Sequence, residues 1–107
     1  MKLEKYIFCL PAAMSMASTR LGIDELRNSE LFILYAIHYL PIPPTQYAIR
    51  RHAARFHAPL SPASLSNGIA HLIALNLISY TQQRYYLTHQ GRDYLHYVRR
   101  YLVHKRL

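Results

Sequence analysis

The chain has 107 residues, about half of them hydrophobic, and carries 13 Lys+Arg against 5 Asp+Glu for a net charge of +8. That length allows one ordinary domain with a real core and little else. The charge suits a polyanionic partner, nucleic acid first and an anionic membrane surface second. Three glycines cannot build a phosphate-cradling loop, and no paired carboxylates or nucleophile motif occur, so no enzyme is expected. The single Cys9 cannot form an internal disulfide, which points to a reducing compartment, the cytoplasm, and its apolar surroundings suit a buried, unreactive thiol.

Residues 1–5 are charged and residues 6–17 apolar, the outline of a secretory signal. Glu4 dilutes the basic start and Pro11 interrupts the apolar run, and twelve residues are too few to span a bilayer as a helix. Residues 1–22 are therefore expected to be an apolar segment used for packing or dimerisation, with one domain over residues 23–107. Gly22 marks a turn. Asp24 or Ser29 can cap the next helix, whose apolar positions Leu31, Phe32, Leu34, Tyr35, Ile37, His38 and Leu40 wrap most of its circumference, as in a central helix. Residues 41–44, Pro-Ile-Pro-Pro, cannot continue that helix and form a stiff connector.

Thr45 caps a second helix that runs to about His57, with Ile49, Ala53 and Phe56 inward and Arg50, Arg51, His52 and Arg55 outward. After a turn at residues 57–60, Ser61 caps a third helix with Pro62 in its first position, where a missing N–H costs nothing. Leu65, Ile69, Leu72 and Ile73 form its apolar stripe, and Ser64, Asn67, Gly68 and His71 its polar side. Asn76 suits the left-handed position that ends this helix. Two β-prone runs follow, residues 77–81 and 85–87, separated by Gln82, Gln83 and Arg84. Thr88 caps a last helix with Tyr94, Leu95, Val98, Tyr101 and Leu102 on its apolar stripe and Arg92, Arg99, Arg100, Lys105 and Arg106 solvated.

From Ser29 onward this order resembles the winged helix-turn-helix regulators of the MarR and PadR kind. Ser61, Leu65, Ser66, Ile69, Leu72, Leu77 and Ile78 fall on the pattern of their recognition helix and first wing strand. Tyr86, Leu87, Thr88 and Gly91 fall on its L-T-x-x-G, and Asn76 replaces the usual glycine. The resemblance implies a mainly α fold with a small β-hairpin, double-stranded DNA as partner, a two-fold dimer and a role in transcriptional control. The departures are a short wing and a recognition helix without Lys or Arg.

Affinity for a duplex comes mainly from neutralised phosphates, and sequence is read at base edges. Arg50, Arg51 and Arg55, with Arg84 at the wing tip, are expected on phosphates or in a minor groove. Ser61, Ser64, Ser66, Asn67 and His71 are expected towards the major groove, and Asn67 is the best candidate for reading adenine. The C-terminal helix offers Tyr94, Tyr97 and Tyr101 as an edge for a homodimer completed by the N-terminal segment. Seven histidines show no ligand spacing, so neither metal nor cofactor is expected. Two other classes fit less well: a winged helix used only for protein contacts within a larger assembly, and a basic peripheral membrane protein.

Overall fold

A computed structural model describes residues 9–55 and 60–105. Five helices and one antiparallel hairpin follow in the order α1 (Leu10–Leu21), α2 (Asn28–Tyr39), α3 (Gln46–Ala54), α4 (Pro62–Ala74), β1 (Ile78–Thr81), β2 (Arg84–Leu87) and α5 (His89–Lys105). The fold is thus mainly helical with a two-stranded hairpin. Among the described residues no helix is long and apolar enough to cross a membrane.

Most of the apolar N-terminal stretch is helix α1. Pro11 sits in its first turn, where the backbone has no N–H to lose. Gly22 ends it at φ 67°, and the N–H groups of Gly22 and Ile23 close back on the carbonyls of Thr19 and Ser18. α1 lies along α5, and its Leu10, Ala13, Met14 and Ala17 share one core with the rest of the chain. The Arg20 guanidinium covers the Tyr97 ring at 4.8 Å.

α2 is the central helix, packed against α3, α4, α5 and β2. Leu31, Ile33, Leu34, Tyr35, Ala36 and Ile37 are all buried. The inward positions differ in part from those the sequence suggests: Ile33 and Ala36 are buried, Phe32 and Leu40 half-buried and His38 exposed. Neither Asp24 nor Ser29 caps this helix. Its start is held by the Glu30 carboxylate, which accepts the Arg27 N–H at 2.7 Å. That carboxylate also offsets the positive end of the helix.

The connector at residues 41–44 serves the hairpin as well. The carbonyl of Pro44 accepts the Tyr85 N–H at 2.9 Å, and that of Pro43 accepts the Arg84 guanidinium at 2.6 Å. β2 is thereby met on its outer edge by Pro43 and Pro44, which, having no N–H groups, offer only acceptors. β1 and β2 pair from Ile78 opposite Leu87 to Thr81 opposite Arg84. The loop is therefore two residues, Gln82 and Gln83, and Arg84 opens the second strand instead of standing at the tip.

The caps at Thr45, Ser61 and Thr88 are as the sequence suggests. Thr45 Oγ1 accepts the Ala48 N–H, Ser61 Oγ the Ser64 N–H and Thr88 Oγ1 the Gly91 N–H. α3 ends at Ala54 with Arg55 as its C-cap, short of the expected His57, and the expected inward Phe56 and the turn at residue 57 lie outside the described residues. At the other end of α4, Asn76 takes φ 60°. The Thr88 hydroxyl donates to the Asn76 carbonyl at 2.6 Å, and the Gln90 amide to that of Leu75 at 2.9 Å. The start of α5 thus satisfies the carbonyls left open where α4 stops.

Candidate nucleic-acid interface

α3 and α4 both lean on α2, and each buries a narrow stripe. Ile49 and Ala53 anchor α3; Leu65, Gly68, Ile69 and Leu72 anchor α4. Everything else on the first half of α4 is open: Ser61, Ala63, Ser64, Ser66, Asn67 and Ala70 are exposed, and none is charged. The Ser61 and Ser64 hydroxyls bond each other at 3.0 Å, within the cap. Ser66 and Asn67 have no side-chain partner among the described residues, so both are available to a ligand.

Two residues placed on that open face by the sequence do not belong there. His71 turns toward α2, where its Nδ1 meets Glu30 Oε2 at 2.5 Å. The imidazole is 35% exposed, whereas the carboxylate is 4% exposed. Gly68 faces the same way: a Cβ there would come within 2.8 Å of Ile33 Cδ1. Ile73, expected inward, is 43% exposed. One cause explains all three. Gly68 has no side chain, so α2 approaches over it, and the buried stripe turns toward residues 68 and 72 and away from 73.

Arg50, Arg51 and Arg55 are exposed on α3, and among the described residues no carboxylate pairs with them. From Leu31 to Arg92 the sequence has no Asp or Glu at all. The only acids of the described chain are Asp24, Glu25, Glu30 and Asp93. His52 lies among the arginines, half-buried. Burial first, and the charge of Arg55 second, hold its imidazole below the ordinary value.

Arg84 is exposed but commits part of its guanidinium to Pro43. The hairpin tip is Gln82–Gln83, both exposed, with φ 51° and 64°. The sequence places both in the turn but gives the tip's contact to Arg84, because charge and not a carboxamide is the usual signal for a phosphate contact. Beside them an open cleft of about 260 Å³ is lined by Thr45, Gln46, Tyr47, Tyr80, Gln83 and Tyr85. Tyr47, 73% exposed, and Tyr80, 51% exposed, stand at its mouth, and the Tyr80 and Tyr85 rings lie 4.6 Å apart.

The tyrosine edge of α5 divides. Tyr94, expected at a dimer interface, is wholly buried in the protein's own core, and burial pushes its hydroxyl up to about 12. Tyr97 and Tyr101 are half-buried. α1 is the reason: it covers the side of α5 that the sequence leaves without an occupant. Among the described residues no group of three His, Cys, Asp or Glu side chains is placed to hold a metal ion. Comparison with protein-family models, curated proteins and solved structures returns no significant match.

Proposed function

We propose that this chain is a winged helix-turn-helix module that binds double-stranded DNA, as a small transcriptional regulator does. The observation that carries the reading is the acid-free stretch from Leu31 to Arg92. Within it the exposed arginines of α3 precede an uncharged, open helix face. In this reading α3 and α4 form the helix-turn-helix, α4 enters the major groove and the hairpin is the wing. Arg50, Arg51 and Arg55 neutralise phosphates and so supply affinity without sequence preference. Ser66 and Asn67 face the base edges; a carboxamide matches adenine N6 and N7. Ala63 and Ala70 keep that face small, so the helix can lie close to the bases. The Glu30–His71 pair positions α4 on α2 and takes no part in readout.

A protein-contact role without DNA readout is the second reading. It is favoured by Tyr47 and Tyr80, which are more than half exposed at one cleft, and by the exposed Ile42 in the connector before α3. Salt titration of duplex binding separates the two. The expected log–log slope is about −3 for each bound protomer, from three arginine–phosphate contacts, and Arg51→Gln reduces it by about one. Asn67→Ala leaves the slope alone and relaxes preference at one base position by about 1–3 kcal/mol. A flat salt response, or no duplex retained at low salt, rejects the DNA reading.

A further inference from the structure

The outer face of α5 is exposed and basic. Its apolar side is consumed by α1 and α2, with Tyr94, Leu95, Val98 and Leu102 in the core. The positions left outward, Arg92, His96, Arg99, Arg100 and Val103, recur at helical intervals and form one continuous exposed strip. The only carboxylate of the helix, Asp93, lies at the margin and faces His89 at 3.4 Å. No carboxylate among the described residues pairs with the three arginines. From Arg92 to Arg100 the strip extends about 12 Å, a length over which one DNA strand presents about three phosphates. Val103 is its only apolar member, which is too little to insert into a bilayer. A second copy of the same strip would bring like charges together across a two-fold axis.

We infer that this face of α5 holds the phosphate backbone of a second DNA segment, so that one protomer bridges two duplexes. The inference rests on the DNA reading above, in which α3 and α4 hold the first duplex. α3 and α4 pack on α2, whereas α5 packs chiefly on α1 and makes no substantial contact with α3 or α4, so the two basic faces lie on helices that do not adjoin within the one core. The α5 contact has no base-reading group beyond His96, and it is therefore indifferent to sequence and steeply salt-dependent.

The experiment uses two duplexes carrying a donor and an acceptor dye, mixed with the full chain at low salt. Energy transfer between them is expected for the wild type and is lost on raising salt before one-duplex binding is lost. The triple variant Arg92→Gln, Arg99→Gln, Arg100→Gln, whose side chains are all on the surface, is expected to keep one-duplex affinity within about twofold and to lose the transfer. The variant Arg50→Gln, Arg51→Gln, Arg55→Gln is expected to lose the transfer and to keep only a weak, sequence-indifferent complex. Transfer that persists in the α5 variant overturns the inference, because bridging then arises from two α4 faces. One-duplex binding that is unaffected by the α5 variant, with no transfer in the wild type, overturns it and leaves the DNA reading standing. No duplex binding by any form overturns both. Binding to vesicles with anionic headgroups that needs the α5 arginines, without bridging, gives the strip to a membrane surface instead.

Discussion

Gln82 and Gln83 both adopt left-handed backbone, which costs a residue with a Cβ about 1–2 kcal/mol and is ordinarily given to Asn-Gly in a two-residue hairpin loop. A strained pair at the most projecting point of a proposed wing suggests that the carboxamides are kept for contact rather than for folding. Replacing Gln82-Gln83 by Asn-Gly is therefore expected to raise stability by about 1 kcal/mol and to weaken duplex binding. A thermal melt and a binding titration on the same sample check both. A gain in stability without loss of affinity would show the tip to be idle. His52 is the second residue whose setting has a measurable consequence. Its folded value lies below the unfolded 6.5, so the folded chain takes up this proton less readily than the unfolded one. The stability it contributes is complete above about pH 6.5 and is lost as pH falls through the lower folded value. A phosphate bound at Arg55 leaves the burial, the larger cause, in place but opposes the smaller one, the charge of Arg55, and so draws a proton part of the way back. Melting temperature should thus fall on acidification while low-salt duplex affinity rises, and His52→Gln should flatten both trends. Wild-type and variant curves that run parallel over pH 5–7 would remove His52 from the interface.

At the scale of elements, the junction of α4, the hairpin and α5 explains why its residues are legible in sequence. In the L-T-x-x-G run, Leu87 packs on the core and Thr88 caps α5 while donating to the Asn76 carbonyl. Gly91 stands where a Cβ would be 2.1 Å from the Leu77 carbonyl oxygen. Backbone meets backbone there, so no rotamer change can relieve the contact. Gly91→Ala is expected to cost about 3 kcal/mol or more, read by chemical denaturation; a loss below about 1 kcal/mol would mean that α5 can slide away from the hairpin at little cost. Caps and turns of this kind are local, so Ser61, Thr45, Thr88 and Asn76 can be placed from residue types alone. Helix faces are less legible. Periodicity gives α4 an apolar stripe but not its rotation, which depends on how near α2 comes over Gly68. The role of Arg84 likewise depends on the Pro43 carbonyl, a partner 41 residues away in sequence. Glu30 was invisible as a site residue because nothing local announces a buried carboxylate that holds α2 at one oxygen and α4 at the other.

For the molecule as a whole, the position of α1 decides what surface remains for assembly. The homodimer expected from sequence used Tyr94, Tyr97 and Tyr101 together with the N-terminal segment. Tyr94 is core, residues 10–21 are already packed on α5, and Arg20 lies over Tyr97. A two-fold contact on this edge would have two half-buried tyrosines at its centre and the arginines of α5 around it. A stable interface needs about 800 Å² from each partner, with an apolar, charge-poor centre, and arginines around two tyrosines are the opposite of that composition. The chain is accordingly expected to sediment as a monomer at micromolar concentration without DNA. Pairing should appear only on a duplex that carries two half-sites about one helical turn apart, where DNA supplies the common scaffold. Sedimentation velocity of the free protein and of both complexes tests this. A DNA-free dimer that is dissociated by Tyr97→Glu with Tyr101→Glu would return the interface to α5. A DNA-free dimer that is indifferent to those changes would place it on the exposed Ile42, Tyr47 and Tyr80 instead, and favour the protein-contact reading of that surface.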